Sequence, residues 1–116
     1  MEGIHIFGKF INCKRTDFLL NKKKLEKEIT NAINKSGLTA LGGYFYKFRK
    51  GGVTGMVLLA ESHVAIHTWP ELNNSLTIDV YTCNYSENND DKAKLVFEIL
   101  ASRFVPKRIE KKIVKD

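Results

Sequence analysis

The stretch TGMVLLAESHVAIHTWP, residues 54–70, contains the most hydrophobic run of the chain, and polar residues interrupt it. Residues 54–60 are almost continuously apolar, which is typical of a strand covered on both faces or lying at a dimer seam. Residues 63–69 continue the strand pattern, and Pro70 ends it. The polar group Glu61–His63 marks the junction of the two runs. The stretch is too apolar for a surface loop and too polar for a plain core strand, so we expect strands that carry a functional site.

The rest of the chain predicts an α+β fold in a single domain, residues 1–116. The elements alternate as β-α-β-β-β-β-α-β, and short turns join consecutive strands. This order favours a two-layer sandwich, in which an antiparallel sheet carries two helices on one face. The predicted strands cover residues 4–11, 38–48, 54–60, 63–69, 75–83 and 107–114, and the predicted helices cover residues 16–37 and 91–104.

Two local features of these elements are specific enough to check against a structure. In the first predicted helix, Leu25, Ile29 and Ile33 keep a helical spacing beneath a lysine-rich outer face, and Ser36–Gly37 ends the helix. In the second predicted strand, Gly42–Gly43 indicates a bulge or a close approach of backbone.

The composition is that of an ordinary globular protein with an excess of positive charge. The net charge is +6, and the lysines fall in a helix, in a turn and in the C-terminal tail, where solvated faces account for them. We therefore expect no nucleic-acid partner. No apolar run approaches the roughly 20 residues of a membrane span, and the N-terminus lacks signal-peptide features. We expect no membrane partner, a cytoplasmic location, and reduced thiols at Cys13 and Cys83.

Several chemistries are compatible with the residues around position 62. Ser62 and His67 supply a nucleophile and a proton acceptor, as a Ser–His–acid hydrolase requires, but the G-x-S-x-G elbow is absent. A zinc site formed by His63, His67 and Cys83 lacks a fourth ligand at metal spacing. Taken singly, each residue is most simply structural, and Trp69 most simply packs in the core.

The motif ESHVAIHTWPE, residues 61–71, resembles the self-cleavage motif of the small bacterial and archaeal S-adenosylmethionine decarboxylases. The upstream segment GGVTGMVLLAESH, residues 51–63, is similar to the glycine–valine–serine–glycine segment of that family. The downstream segment IDVYTC, residues 78–83, is similar to its aspartate–valine–aromatic–threonine–cysteine strand. The N-terminal strand, the chain length and the order of elements also fit.

The resemblance implies a proenzyme that cleaves itself between Glu61 and Ser62. The Ser62 hydroxyl attacks the Glu61 carbonyl, giving an oxyoxazolidine and then an ester. β-Elimination releases residues 1–61 as a β chain and leaves residues 62–116 as an α chain capped by a pyruvoyl group. That group forms a Schiff base with the substrate amine and draws off the electrons of decarboxylation. The implied product is decarboxylated S-adenosylmethionine, the aminopropyl donor for spermidine synthesis.

The resemblance also implies roles for individual residues. His67 matches the histidine that takes the Ser62 α-proton during elimination, and Cys83 matches the proton donor of decarboxylation. Glu71 matches the glutamate that binds the ribose hydroxyls. Phe48 matches the aromatic residue that stacks on adenine, and either Phe7 or Phe10 is expected to supply the other side of the aromatic clamp.

Three positions depart from the family pattern. Thr54 replaces a serine of the processing site, although it keeps the hydroxyl. Tyr46 stands where many members have histidine. Lys9 stands where many have glutamate, and a cation there is expected to weaken binding of the sulfonium substrate. A shift to ornithine or arginine decarboxylation is therefore one alternative, and a non-catalytic regulatory paralogue is a second.

Two geometric expectations follow. The family typically forms homodimers, and residues 54–60, Gly55 included, are candidates for the seam. Ser62 and His67 are five residues apart and would point to opposite faces of a regular strand. If His67 is to act beside Ser62, the chain must bend at Glu61–Ser62, so we predict a kink there.

Overall fold

Six strands form one antiparallel sheet, and helices pack against one of its faces. This computed structural model describes residues 2–115. The predicted α+β fold and the order of its six strands are confirmed. The elements are β1 (Gly3–Cys13), α1 (Thr16–Leu20), α2 (Lys22–Ser36), β2 (Ala40–Lys47), β3 (Val53–Leu59), β4 (Ser62–Trp69), β5 (Ser75–Cys83), α3 (Asp90–Phe104) and β6 (Pro106–Lys115).

The first predicted helix is two helices in the structure, so three helices are present in residues 2–115 instead of two. The break falls at Asn21, whose backbone is extended at φ −117° and ψ 108°. Its side chain accepts a hydrogen bond from the backbone N–H of Lys24 at 3.0 Å, so it caps α2. Asparagine is favoured at the N-cap of a helix and disfavoured in its interior, which explains why the helical spacing alone was misleading here.

The strands do not follow one another across the sheet. Their spatial order is β2-β3-β4-β5-β1-β6, with every neighbouring pair antiparallel. Strand β1 therefore lies between β5 and β6, although both of these come from the C-terminal half of the chain. The N-terminal segment is inserted into a sheet that the C-terminal segment completes.

The two faces of the sheet have different surroundings. Alternate residues of β1, β3, β4 and β5 point into a core that α2 and α3 cover, and Val64 and Ile66 are each 1% exposed there. No helix of residues 2–115 covers the opposite face, here called the open face, yet this face carries large apolar side chains such as Tyr44, 74% exposed, and Leu58, 53% exposed. The other side chains of the open face include Phe7, Tyr46, Met56, His63, His67, Trp69, Asp79 and Cys83.

Glycines behave differently at the two positions noted in the sequence. The bulge predicted at Gly42–Gly43 is present: the register of β2 against β3 shifts between Ala40 and Gly42. Gly55 is not part of the open face. It lies on the core side, where a Cβ atom would overlap the ring of Phe45. Close packing against Phe45 therefore explains the glycine, and its place at a dimer seam stays a prediction.

Strands β3 and β4 are joined by a turn of only two residues, Ala60 and Glu61. The predicted kink is thus a full reversal of the chain, and Leu59 pairs with Ser62 across it. The turn is held to the start of β2, because the backbone N–H of Ala60 donates to the carbonyl oxygen of Thr39 at 3.0 Å.

Replacement of Thr68 by valine is expected to destabilise this framework. The Thr68 hydroxyl is buried, accepts from the Val53 N–H at 2.7 Å and donates to the Leu19 carbonyl at 2.8 Å. Valine keeps the shape but leaves both backbone groups without that partner, at a cost of about 1–3 kcal/mol for each. Chemical denaturation should show this loss, whereas Thr30→Val in α2 should change the free energy of unfolding by less than about 0.5 kcal/mol.

Candidate active site

The peptide bond between Glu61 and Ser62 lies where the turn enters β4, in strained backbone. Ser62 has φ +149°, a region that only glycine occupies without strain. The carbonyl oxygen of Glu61 accepts a hydrogen bond from the backbone N–H of Cys83 at 2.8 Å. A donor at this distance stabilises the negative charge that develops on such an oxygen when a nucleophile attacks its carbon.

The side chain of Glu61 helps to fix this arrangement. Its Oε1 accepts from the backbone N–H of Thr39 at 3.0 Å, so both the turn and the side chain are tied to the same residue at the start of β2. Cys83 ends β5, and its carbonyl accepts from the side-chain amide of Asn89 at 2.9 Å. The Cys83 thiol is therefore carried on anchored backbone, beside the Glu61–Ser62 bond.

His63 and Asp79 lie next to Ser62. The Ser62 Oγ is 3.4 Å from His63 Nδ1, and His63 Nε2 is 3.6 Å from Asp79 Oδ2. The other carboxylate oxygen of Asp79 contacts Nε2 of His5. All three side chains are about 30% exposed on the open face. Among residues 2–115, they form the only cluster of histidine, cysteine and acidic groups placed closely enough to share a cation.

His67 lies far from Ser62 in the same chain. Both residues belong to β4, so five residues of extended strand, about 16 Å, separate them. The reasoning behind the predicted kink was therefore wrong, since the reversal comes before Ser62 and does not bring His67 to it. The structure instead pairs His67 with Thr54 on β3, with Nδ1 and Oγ1 3.1 Å apart.

A cleft of about 410 Å³ opens beside the Thr54–His67 pair. Thr54 itself lines it, together with Phe48, Trp69 and Glu71. The structure thus brings together the two residues expected to bind adenine and ribose. It also adds an indole: Trp69 is 38% exposed at the cleft and is not core packing, as its residue type alone had suggested.

The structure distinguishes the two phenylalanines of β1. Phe10 is completely buried among the helices, with its ring centroid 5.3 Å from that of Phe97, so its inclusion as a substrate-binding candidate was wrong. Phe7 points to the open face and is 42% exposed. Lys9 follows on the same face, where it pairs with Thr77 of β5, the residue that also pairs with His67. Lys9 therefore does face the region of the site.

The zinc site considered from the sequence has no suitable geometry. His63 and His67 are four residues apart on an extended strand, about 13 Å, and cannot share a zinc ion. A pyruvoyl group made from Ser62 fits better, because the strained Ser62 backbone and the hydrogen-bonded Glu61 carbonyl are what its formation requires.

Sequence reasoning did not assign His5 or Asp79 to the site, and it considered His63 only as a zinc ligand. The signal for Asp79 was present, because positions 79 and 83 of a strand share a face. The same rule places neighbours such as Ser62 and His63 on opposite faces of a regular strand, so it gives no signal for their contact. The irregular backbone of Ser62 is not readable from the sequence.

Folding is expected to suppress the reactivity of the Cys13 thiol. Cys13 is free and is 2% exposed in the core, where burial raises its pKa to about 11. At pH 8, iodoacetamide should modify Cys13 of the folded protein at least about 100-fold more slowly than Cys13 of the unfolded chain, since the thiolate is the reactive form. Because folding raises this pKa from 9.0, the folded state should also lose stability as the pH rises from 9 towards 11. Peptide mapping and denaturation against pH check the two statements.

Known proteins resemble this chain over nearly its whole length. The profile of the S-adenosylmethionine decarboxylase family matches residues 4–115. An S-adenosylmethionine decarboxylase proenzyme of Aeropyrum pernix is 35% identical over 97% of this chain and 82% of its own length. One from Aquifex aeolicus is 34% identical over 96% of this chain and 78% of its own length. The crystal structure of the adenosylmethionine decarboxylase from Aquifex aeolicus superposes with a TM-score of 0.85 at 33% identity, over 97% of this chain and 88% of that one.

Proposed function

The chain belongs to the S-adenosylmethionine decarboxylase family, and on that premise we propose that it cleaves itself at Glu61–Ser62 and then decarboxylates S-adenosylmethionine for polyamine synthesis. It is an enzyme made as a proenzyme. At residue level, the proposal rests on the backbone geometry and hydrogen bonding of the scissile bond. Ser62 holds strained backbone at φ +149°, and the Cys83 N–H already donates to the carbonyl that Ser62 would attack.

Self-cleavage begins with an acyl shift that is uphill in a relaxed peptide. The Ser62 Oγ adds to the Glu61 carbonyl carbon, and the oxygen of that carbonyl becomes negatively charged. The Cys83 N–H, 2.8 Å away, stabilises this charge. Breaking the C–N bond then relieves the Ser62 backbone and leaves an ester between residues 61 and 62. Removal of the Ser62 α-proton expels the Glu61 carboxylate, and hydrolysis of the resulting enamine with loss of ammonia leaves a pyruvoyl group.

A second copy of the chain is needed to complete this site. The Ser62–Cys83 end and the Thr54–His67 end of one protomer are about 16 Å apart, so His67 cannot reach Ser62 of its own chain. We propose a homodimer in which two open faces pack against each other in opposite orientations. The exposed apolar side chains of that face, Leu58 and Tyr44 among them, support such an interface. Each active site then combines Ser62 and Cys83 of one protomer with His67 and Thr54 of the other.

The substrate contacts divide in the same way. Phe7 and Phe48 belong to β1 and to the end of β2, four strand spacings or about 19 Å apart, so one protomer cannot clamp a single adenine between them. Across a dimer, Phe7 of one protomer and Phe48 of the other can flank the ring, with Glu71 on the ribose hydroxyls. The pyruvoyl ketone supplies the electron sink for decarboxylation. The thiol of Cys83, whose backbone N–H binds the Glu61 carbonyl, returns a proton to the substrate α-carbon.

The alternatives are not supported by the relatives. Neither a shift to ornithine or arginine nor a non-catalytic role matches proteins named as S-adenosylmethionine decarboxylase proenzymes. No helix within residues 2–115 is long and apolar enough to span a membrane. Two free thiols fit a cytoplasmic location, which we propose, and nothing on the described surface calls for a nucleic-acid partner.

The test is the denatured mass of the purified protein, followed by assay. We expect two chains, residues 1–61 and 62–116, with the second lighter than its hydrolytic form by one ammonia. The cleaved protein should release carbon dioxide from carboxyl-labelled S-adenosylmethionine, and ornithine and arginine serve as comparison substrates. A chain that stays uncut after long incubation would contradict self-processing, and a cleaved protein that prefers ornithine or arginine would contradict the substrate.

A further inference from the structure

His63 stands in an unusual relation to the nucleophile that precedes it. Neighbouring side chains of a regular strand point to opposite faces. Here the Ser62 backbone departs from the strand conformation, and Ser62 Oγ lies 3.4 Å from His63 Nδ1. The same local strain that weakens the scissile bond thus also brings a potential base to the attacking hydroxyl.

The position of Asp79 favours the tautomer of His63 that a base needs. The carboxylate oxygen Oδ2 lies 3.6 Å from His63 Nε2, and a carboxylate only accepts, so it favours a proton on Nε2. The lone pair of a neutral imidazole is then on Nδ1, facing Ser62. The opposite oxygen of Asp79 contacts His5, which fixes the carboxylate between the two rings. The order Ser62, His63, Asp79 is that of a nucleophile, a base and an orienting acid.

Resting on the proposed self-cleavage, we propose that His63 is the general base of the acyl shift and that Asp79 positions it. As Ser62 Oγ bonds to the Glu61 carbonyl carbon, its proton passes to His63 Nδ1. When the C–N bond breaks, the same proton passes from Nδ1 to the departing nitrogen of Ser62, so no other proton source is needed. His67 of the partner has a separate task, the removal of the α-proton in the later elimination.

Hydroxylamine separates these two steps, because it attacks an ester but not a normal peptide bond. In a His67→Ala variant the ester should accumulate, and hydroxylamine should cut the chain, leaving a hydroxamate on residue 61 and a free serine at residue 62. In a His63→Gln variant the ester should form about 100-fold more slowly or worse, so the chain should stay intact with hydroxylamine. If His63→Gln is cut by hydroxylamine as fast as His67→Ala, the proposal is wrong. If the unaltered protein never cleaves, self-cleavage itself has failed, which is a different result.

A thiol nucleophile tests whether His63 acts as a base or only supports the structure. A cysteine thiol ionises near pH 8.5 without help, so it needs a base far less than a hydroxyl does. In a Ser62→Cys background at pH 8.5, His63→Gln and Asp79→Asn should slow formation of the thioester less than about 10-fold, against about 100-fold for His63→Gln with Ser62 present. A purely structural defect would slow both backgrounds alike, and that outcome would overturn the proposal.

Two controls complete the experiment. His5→Gln removes a contact to Asp79 but none to Ser62, so it should slow cleavage less than Asp79→Asn does. Cleavage of the unaltered protein should also proceed at the same rate in EDTA. A rate that falls with chelator and returns with Zn²⁺ would mean that the cluster holds a metal ion, and would contradict the assignment of His63 as a free base.

Discussion

A Ser62→Ala variant is expected to remain a single chain of 116 residues, with no detectable decarboxylase activity. Alanine lacks the Oγ atom with which Ser62 attacks the Glu61 carbonyl. Without that attack no pyruvoyl group can form. The loss should be complete at the level of detection, since both the cleavage and the cofactor depend on the same oxygen. Denatured mass spectrometry and carbon dioxide release measure the two effects on one sample.

Two control variants show whether the effect is specific to Ser62. Ser86→Ala, in the exposed loop before α3, should be cleaved and active at the normal level. Ser62→Cys keeps a nucleophile and should still be cleaved. A Ser62→Ala protein that splits at the same bond would mean that an external protease makes the cut.

Mixed dimers should restore cleavage to variants that cannot cleave alone. A Ser62→Ala chain lacks the nucleophile and a His67→Ala chain lacks the base of elimination, so neither homodimer should mature. In a dimer of one chain of each kind, one site combines Ser62 of the His67→Ala chain with His67 of the other chain. That site is complete. Co-expression with two different affinity tags isolates this species.

The mass of the released fragment identifies which chain was cut. The 62–116 fragment should carry the His67→Ala substitution, and the Ser62→Ala chain should stay whole. An uncut mixed dimer would indicate that His67 acts within its own chain, against the 16 Å separation along β4. If the two tags cannot be recovered together, the proposed dimer is wrong.

Much of the fold was predictable because its signals are local. The six strands, their order along the chain and the bulge at Gly42–Gly43 follow from alternation and from glycine placement. The split at Asn21 was missed, because side-chain capping competes with a helical pattern that continues through it. The interleaving of β1 between β5 and β6 has no local signal, since it depends on which long-range pairing buries the most surface.

The candidate site likewise has features that the sequence reveals and features that only the tertiary structure determines. A motif resemblance pointed to five site residues, because the reaction and its substrate require these residue types. They are Ser62, His67, Cys83, Glu71 and Phe48. What they contact is set by tertiary structure. The strained φ of Ser62, the proximity of His63, and the burial of Phe10 instead of Phe7 all depend on how strands meet, and spacing along the chain gave a false answer for Ser62 and His67.

The position of β1 within the sheet has a consequence for the protein after the proposed cleavage. The upstream polypeptide supplies β1, β2 and β3, and β1 is flanked on both sides by strands of the downstream polypeptide. Neither polypeptide has a complete sheet alone, so the two stay associated through the pairing of β1 with its neighbours unless both unfold. The peptide bond between Glu61 and Ser62 keeps the two halves at high local concentration while they fold. Two separate polypeptides would lack this advantage. In the proposed self-cleavage this bond is broken after assembly, and residue 62 becomes the pyruvoyl group.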